Sequence, residues 1–292
     1  MSFRSFCVVL ILLLFFTGCT RTDRVNAGPD SSPQGAYAGG EADFSASAIS
    51  TVSGDREAFV EDFWRWIFIE AGIPENLALN VASLALESPA FVMELLMILE
   101  QDPYMHLLVD KQHALAIDYE PNDLVPLGAA AFNVTRDGFS LRRQAAAALS
   151  EMTAAAAQDG IVLTVASSYR SGTYQAEVYA RWLNQLGREA ADRVSARPGH
   201  SQHQLGLVVD FFPIDESFAN TPASLWLVQN ASRFGWSLSY PDGYEHVTGY
   251  YWESWHYRYV GRDLALFVNN YFNGIQQYAL QFIQAWKEHS GD

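Results

Sequence analysis

Residues 201–210 read Ser-Gln-His-Gln-Leu-Gly-Leu-Val-Val-Asp, an apolar strand core with an imidazole near its start and a carboxylate at its end. A strand that buries Leu205, Leu207, Val208 and Val209 gains nothing from His203 or Asp210 unless something in the interior pairs with them. Strict alternation puts Gln204, Gly206, Val208 and Asp210 on one face and His203, Leu205, Leu207 and Val209 on the other. The two polar ends therefore converge only if His203 lies before the regular strand, or if a bulge at Gly206 re-aims it.

Short helices and strands alternate around this segment. LRRQAAAALSEMTAAAAQDG reads as an Ala-rich helix closed by Gly160, and IVLTVASSY as a strand. SGTYQAEVYARWLNQLG is a helix with Tyr174, Val178, Trp182 and Leu186 on one stripe, followed by a loop over REAADRVSARPGHS. A further helix surrounds SLWLVQNASRFG, WSLSYP and HYRYVG are short strands, and a last amphipathic helix spans about residues 263–287. Regular strand-helix-strand crossovers are few. The expected class is α+β, a small antiparallel sheet flanked by helices and preceded by a helical N-terminal region.

The N-terminus reads differently. MSFR is basic, FCVVLILLLFFT is an apolar run too short to span a bilayer comfortably, and TGC follows it. This is the pattern of a bacterial lipoprotein signal over 1–19, with Cys19 as the lipidated residue and Phe16 where such signals usually carry Leu. Cys7 is the only other cysteine, so the exported chain would keep no free thiol and form no disulfide, and a metal would have to be held by His and carboxylates. Residues 20–54 are rich in Gly, Ser, Ala, Asp and Pro and read as a flexible tether, with a typical span of about 30–35 Å. A helical region is expected over 55–102, broken at Gly72-Ile73-Pro74 and Ser88-Pro89, and a catalytic domain over 103–292. The expected location is the extracytoplasmic face of a bacterial membrane. A formal charge of −15 argues against nucleic acid as a partner.

The chemistry concentrates in two places. His203 and Asp210 form one, and GYYWESWHYRYVG, with Glu253 three residues before His256, forms the other. Two histidines and one carboxylate make a catalytic zinc set, with one coordination position left open. His203, Asp210 and His256 are the candidate ligands. Glu253 is then free to act as general base. Arg170, which ends a strand in SSYRS, is the candidate cation for an oxyanion or a substrate carboxylate. Trp255, beside His256, is a candidate pocket wall. His200 and His246 are read as non-ligands.

The ordered pattern S-x-Y-R-S, S-x-H-x-x-G-x-x-x-D and E-x-W-H resembles the VanY-type D-alanyl-D-alanine carboxypeptidases and the related VanX dipeptidases, from about Pro121 to Gly261. The resemblance implies a zinc peptidase acting on peptidoglycan stem peptides, with the same three ligands and the same base. It also implies that Arg170 meets substrate or transition state, that Ser201 lines the substrate pocket, and that Gln175 belongs to it. An L,D-carboxypeptidase trimming tetrapeptide stems is covered by the same resemblance. A non-catalytic wall-binding lipoprotein is the alternative from another class.

Overall fold

A computed structural model describes residues 72–129 and 131–290. The expected signal, the tether, Cys19 and the start of the helical region lie outside the described residues. In chain order the elements are α1 (Glu75–Glu87), α2 (Pro89–Leu99), β1 (Leu124–Pro126), β2 (Asn133–Val134), β3 (Ser140–Arg142), α3 (Arg143–Gln158), β4 (Thr164–Ser167), α4 (Gly172–Leu186) and α5 (Arg188–Val194). They continue with a 3₁₀ turn (Gln202–Leu205), β5 (Val208–Phe211), α6 (Pro222–Asn230), β6 (Trp236–Leu238), α7 (Glu245–Thr248), β7 (His256–Tyr259), α8 (Arg262–Tyr271) and α9 (Gln276–Ser290).

The fold is α+β, as the sequence implies. A five-stranded sheet has the order β2-β4-β5-β7-β6, and β1 pairs with β3 in a separate ribbon. All pairs in the five-stranded sheet are antiparallel except the edge pair β2/β4. The adjacent strands β5 and β7 are short and buried throughout, and their two faces differ in chemistry. Val209, Phe211, Tyr257 and Tyr259 enter an apolar core with Leu149 and Met152 of α3. The opposite face carries Val208 and Asp210 on β5 against Arg258 and His256 on β7, paired Val208↔Arg258 and Asp210↔His256. Period-two alternation thus delivers one apolar face and one polar face from the same two strands.

A second core joins the helices before the sheet to those after it. Val81 of α1, Phe91 and Leu95 of α2, Phe267 of α8 and Phe282 of α9 belong to one buried cluster. The Phe91 ring lies 5.0 Å from Phe267 and 6.0 Å from Phe282. The early helices therefore pack on the final two with Phe91 in the shared core, while Met93 and Met97 of α2 face outward. Ser88 starts α2 by accepting a hydrogen bond from Phe91 N–H, with Pro89 in the first turn.

Arg258 ties the two halves together. Its guanidinium is fully buried and donates to the carbonyls of Tyr104, Met105 and Leu107, which fixes the chain after α2 against the polar face of the sheet. Burial pushes its pKa down to about 10, so it still carries its charge at neutral pH.

Two local expectations are corrected. The segment after α4 is not all loop, because Arg188–Val194 forms α5. The last helix is two, α8 and α9, interrupted at Asn273 and Gly274, which have φ of 54° and 77°. Such left-handed conformations end a helix, and Asn-Gly is the dipeptide that adopts them most readily. The α4 stripe points outward: Tyr174, Trp182 and Leu186 are 44%, 38% and 46% exposed. Among the described residues no single helix is long and apolar enough to cross a membrane.

Candidate functional site

The site is built where β4, β5 and β7 lie side by side. Of the two routes open to His203, the chain takes the first: the residue lies before β5, in the 3₁₀ turn, not in the strand. Gly206 ends that turn with φ 67° and ψ 20°, a left-handed conformation that favours glycine. A Cβ there would lie 2.9 Å from Leu124 Cδ2 and 3.1 Å from Arg142 Cγ. The turn brings His203 onto the polar face beside Asp210 despite their opposite parity in sequence. We expect Gly206→Ala to cost about 1–3 kcal/mol of stability and to weaken metal binding as well, read by denaturant unfolding and metal titration of one protein sample.

His203, Asp210 and His256 are 5%, 5% and 3% exposed, and one candidate ligand atom from each lies within 4.8 Å of the others. Among the described residues this is the group of acidic and imidazole side chains with metal-binding geometry. His203 Nε2 is 3.1 Å from Asp210 Oδ2, and His256 Nδ1 is 3.0 Å from Asp210 Oδ1. The far nitrogens face oxygens. His203 Nδ1 is 2.7 Å from the carbonyl of Ser168 and His256 Nε2 is 3.3 Å from Gln202 Oε1. With those nitrogens protonated, two imidazole lone pairs and a carboxylate face one small volume, and Asp210 Oδ1 has no hydrogen-bond partner. Nitrogen and oxygen donors converging with their lone pairs suit a zinc ion, so the residues fit the group.

The charges agree with this. Burial opposes ionisation of Asp210, yet His203 and His256 hold its carboxyl well below the usual carboxylate range. Burial lowers His256 too, but Asp210 and Glu253 more than offset that and hold it at about 9. Without metal this bias holds a proton on His256, and a bound cation would take that proton's place beside Asp210.

Glu253 stands just outside the three. Its Oε2 is 3.4 Å from His256 Nδ1, its backbone N–H donates to the Tyr240 carbonyl, and its carbonyl accepts from His256 N–H. Burial raises the Glu253 carboxyl, against the pull of His256 and Arg170. A carboxylate tuned towards neutrality is a better proton acceptor at working pH.

Arg170 follows the end of β4, and its guanidinium donates to Gln175 Oε1 at 2.7 Å and Ser167 Oγ at 3.1 Å. Gln175 is fully buried, and its amide nitrogen donates to the Ala196 carbonyl at 2.6 Å. Gln175 therefore reaches a ligand chiefly by aiming Arg170. Arg170, Gln175, Ser201 and Trp255 all line one cleft of about 410 Å³, together with the three candidate ligands and Glu253. His200 turns away, 2.7 Å from the Asp110 carbonyl, and His246 stands outside the cleft.

Sequence reasoning missed several residues of this cleft. Tyr240 is buried and packs 4.6 Å, ring to ring, from His256, while Tyr250 lies 4.7 Å from Tyr240. Both line the cleft. Gln202, which adjoins His203 and contacts His256 from outside the cleft lining, is missed as well. The signal for it was weak, because a glutamine beside a histidine marks nothing until the fold closes over it.

Comparisons with known proteins fall on this region. A family model described as VanY, D-alanyl-D-alanine carboxypeptidase, matches residues 138–262. The putative carboxypeptidase YodJ of Bacillus subtilis is 35% identical over 178 residues, covering 59% of this chain and 65% of that protein. The chain thus spans slightly less than two thirds of that relative's length. The solved structure of the LdcB LD-carboxypeptidase is 33% identical, with a TM-score of 0.54, over 60% of this chain and 89% of that one. The vancomycin resistance D,D-pentapeptidase VanY from a VanB-type cassette, solved as a mutant with Zn(II), is 29% identical with a TM-score of 0.50, over 60% and 98%. The family match begins just before β3 and ends as α8 begins, so it takes in the five-stranded sheet from β4 onward together with all the site residues above. This chain belongs to the VanY-type D-alanyl-D-alanine carboxypeptidase family.

Proposed function

We propose that the protein is a zinc-dependent D-alanyl-D-alanine carboxypeptidase that removes the terminal D-alanine from peptidoglycan stem peptides. The observation that carries this reading is the convergence of one nitrogen or oxygen from each of His203, Asp210 and His256 in a cleft that also holds Glu253 and Arg170. The Zn(II) bound to the VanY relative supports the choice of metal. One zinc ion held by those three side chains would supply Lewis acidity to the scissile carbonyl and to a water.

The chain's own residues do the rest. Arg170, held by Gln175 and Ser167, meets the substrate's terminal carboxylate, while Ser201 and Trp255 bound the pocket. Glu253 takes a proton from water as the new carbon–oxygen bond forms. It returns that proton to the departing nitrogen as the carbon–nitrogen bond breaks. The products are a shortened peptide carboxylate and free D-alanine. Burial of the cleft keeps these charges poorly screened, which strengthens each contact.

Export as a lipoprotein anchored through Cys19, with residues 20–54 as tether, would place this chemistry at the wall. The same reading keeps 55–102 as a helical region ahead of a catalytic unit over 103–292, with α8 and α9 joining the two.

A second reading is L,D-cleavage of tetrapeptide stems, favoured by the higher identity to LdcB than to the VanY structure, 33% against 29%. Both reactions release D-alanine, so the substrate decides. With metal content measured on the same sample, we expect faster release from a synthetic pentapeptide stem than from the tetrapeptide. The reverse order would establish the second reading, and no release from either by metal-loaded protein would dismiss both.

A further inference from the structure

The two candidate imidazole ligands are oriented by different means. His203 presents Nε2 to Asp210 because its Nδ1 faces a backbone oxygen, the Ser168 carbonyl at 2.7 Å. His256 presents the other nitrogen, Nδ1, and its Nε2 faces a side chain, Gln202 Oε1 at 3.3 Å. A backbone carbonyl can only accept, so the tautomer of His203 is set by the chain itself. A glutamine amide has an accepting end and a donating end, and which end faces His256 decides which nitrogen keeps its lone pair.

Ser239 settles that orientation. Its hydroxyl is 2.8 Å from Gln202 Oε1, an ordinary length for O–H donating to oxygen, and 3.3 Å from Gln276 Oε1. Gln276 spends its amide nitrogen on the Ser237 carbonyl. With the Ser239 proton on the nearer of these two oxygens, Gln202 is held with its oxygen towards His256. All four groups are buried: Gln202, Ser239, His256 and Gln276 are 2%, 3%, 3% and 1% exposed. No bulk water competes for these bonds.

We propose that Gln202, locked by Ser239, is the positioning residue that keeps the Nε2 proton on His256 and offers Nδ1 to the metal, so that the two histidines bind through opposite nitrogens. This rests on the proposed metal-holding role of His203, Asp210 and His256.

Zinc affinity, measured by chelator competition on the purified protein, tests it independently of turnover. Gln202→Leu removes the acceptor and is expected to weaken zinc binding roughly 10- to 100-fold. Gln202→Glu keeps an accepting oxygen and is expected to restore affinity to near that of the unaltered protein. Zinc binding by Gln202→Leu within twofold of the unaltered protein, while His256→Ala loses it, would overturn the positioning role and leave the metal site standing. No zinc binding by the unaltered protein would overturn both. Should Gln202→Leu fail to fold, nitrogen-15 NMR of the zinc-loaded unaltered protein still decides. The expected spectrum has Nδ1 ligated and Nε2 protonated in His256, with the reverse in His203, and ligation of both through Nε2 would overturn the inference.

Discussion

Glu253→Gln is expected to lower the hydrolysis rate by roughly 10²- to 10⁴-fold while leaving metal content unchanged. The reason lies in what the substitution keeps. Glutamine has the shape of glutamate and can occupy the same place 3.4 Å from His256 Nδ1, but an amide nitrogen cannot accept the proton that attacking water must lose. Glu253 is not one of the three converging donors, so removing its charge leaves the ligand set intact. Burial raises its carboxyl, the direction a general base needs. The measurement is kcat on a pentapeptide stem together with zinc per chain. Turnover equal to that of the unaltered protein would remove Glu253 from the mechanism, and no turnover by either protein with zinc bound would favour the non-catalytic binding alternative.

Much of this site can be read in the sequence because its parts are local. His203 and Asp210 sit seven residues apart around a glycine, and Glu253 and His256 sit three apart among aromatics, so composition alone marks both stretches. Their meeting also follows a simple rule: β5 and β7 are adjacent antiparallel strands, and the register that places Val209 opposite Tyr257 in the apolar core must place Asp210 opposite His256 on the other face. The conflict of parity between His203 and Asp210 even names its own solution, a turn ending in a residue with positive φ, and Gly206 supplies it.

What stayed hidden depends on contacts remote in sequence. Gln202, Ser239 and Gln276 meet across 37 residues at each step, and none of the three carries a charge or a motif. Arg258 reads as one more residue of a strand, HYRY, until its three carbonyl partners more than 150 residues earlier are known. The α4 stripe is legible only in part. Helical periodicity shows that Tyr174, Val178, Trp182 and Leu186 share a face, but not whether that face meets a core or, as Val178 and Trp182 do here, borders a cleft. The break between α8 and α9 was legible in Asn273-Gly274 and was outweighed by the apolar spacing on either side.

His256→Ala should have the largest effect of any single change, because it acts on binding and on the fold together. Loss of Gln202 disturbs only the orientation of a ligand, whereas loss of His256 removes a ligand, so zinc affinity is expected to fall by well over the roughly 100-fold upper range for an outer partner. The consequence for the metal-free protein is separate. His256 is buried in the middle of the sheet's polar face, packed against Tyr240 and facing the Asp210 carboxylate. Its removal leaves that carboxylate buried with His203 as its remaining close partner, and breaking a buried charged pair from one side costs about 3–5 kcal/mol. Two measurements separate the effects: denaturant unfolding in the presence of chelator reads the fold, and chelator competition reads the metal. Unaltered stability with lost zinc would mean that His256 serves the metal alone, whereas retained zinc in a stable variant would exclude it from the ligand set and with it the metal chemistry proposed for this cleft. The contrast with Glu253→Gln, which should retain both zinc and stability and lose only turnover, assigns the two ends of E-x-W-H to different tasks three residues apart.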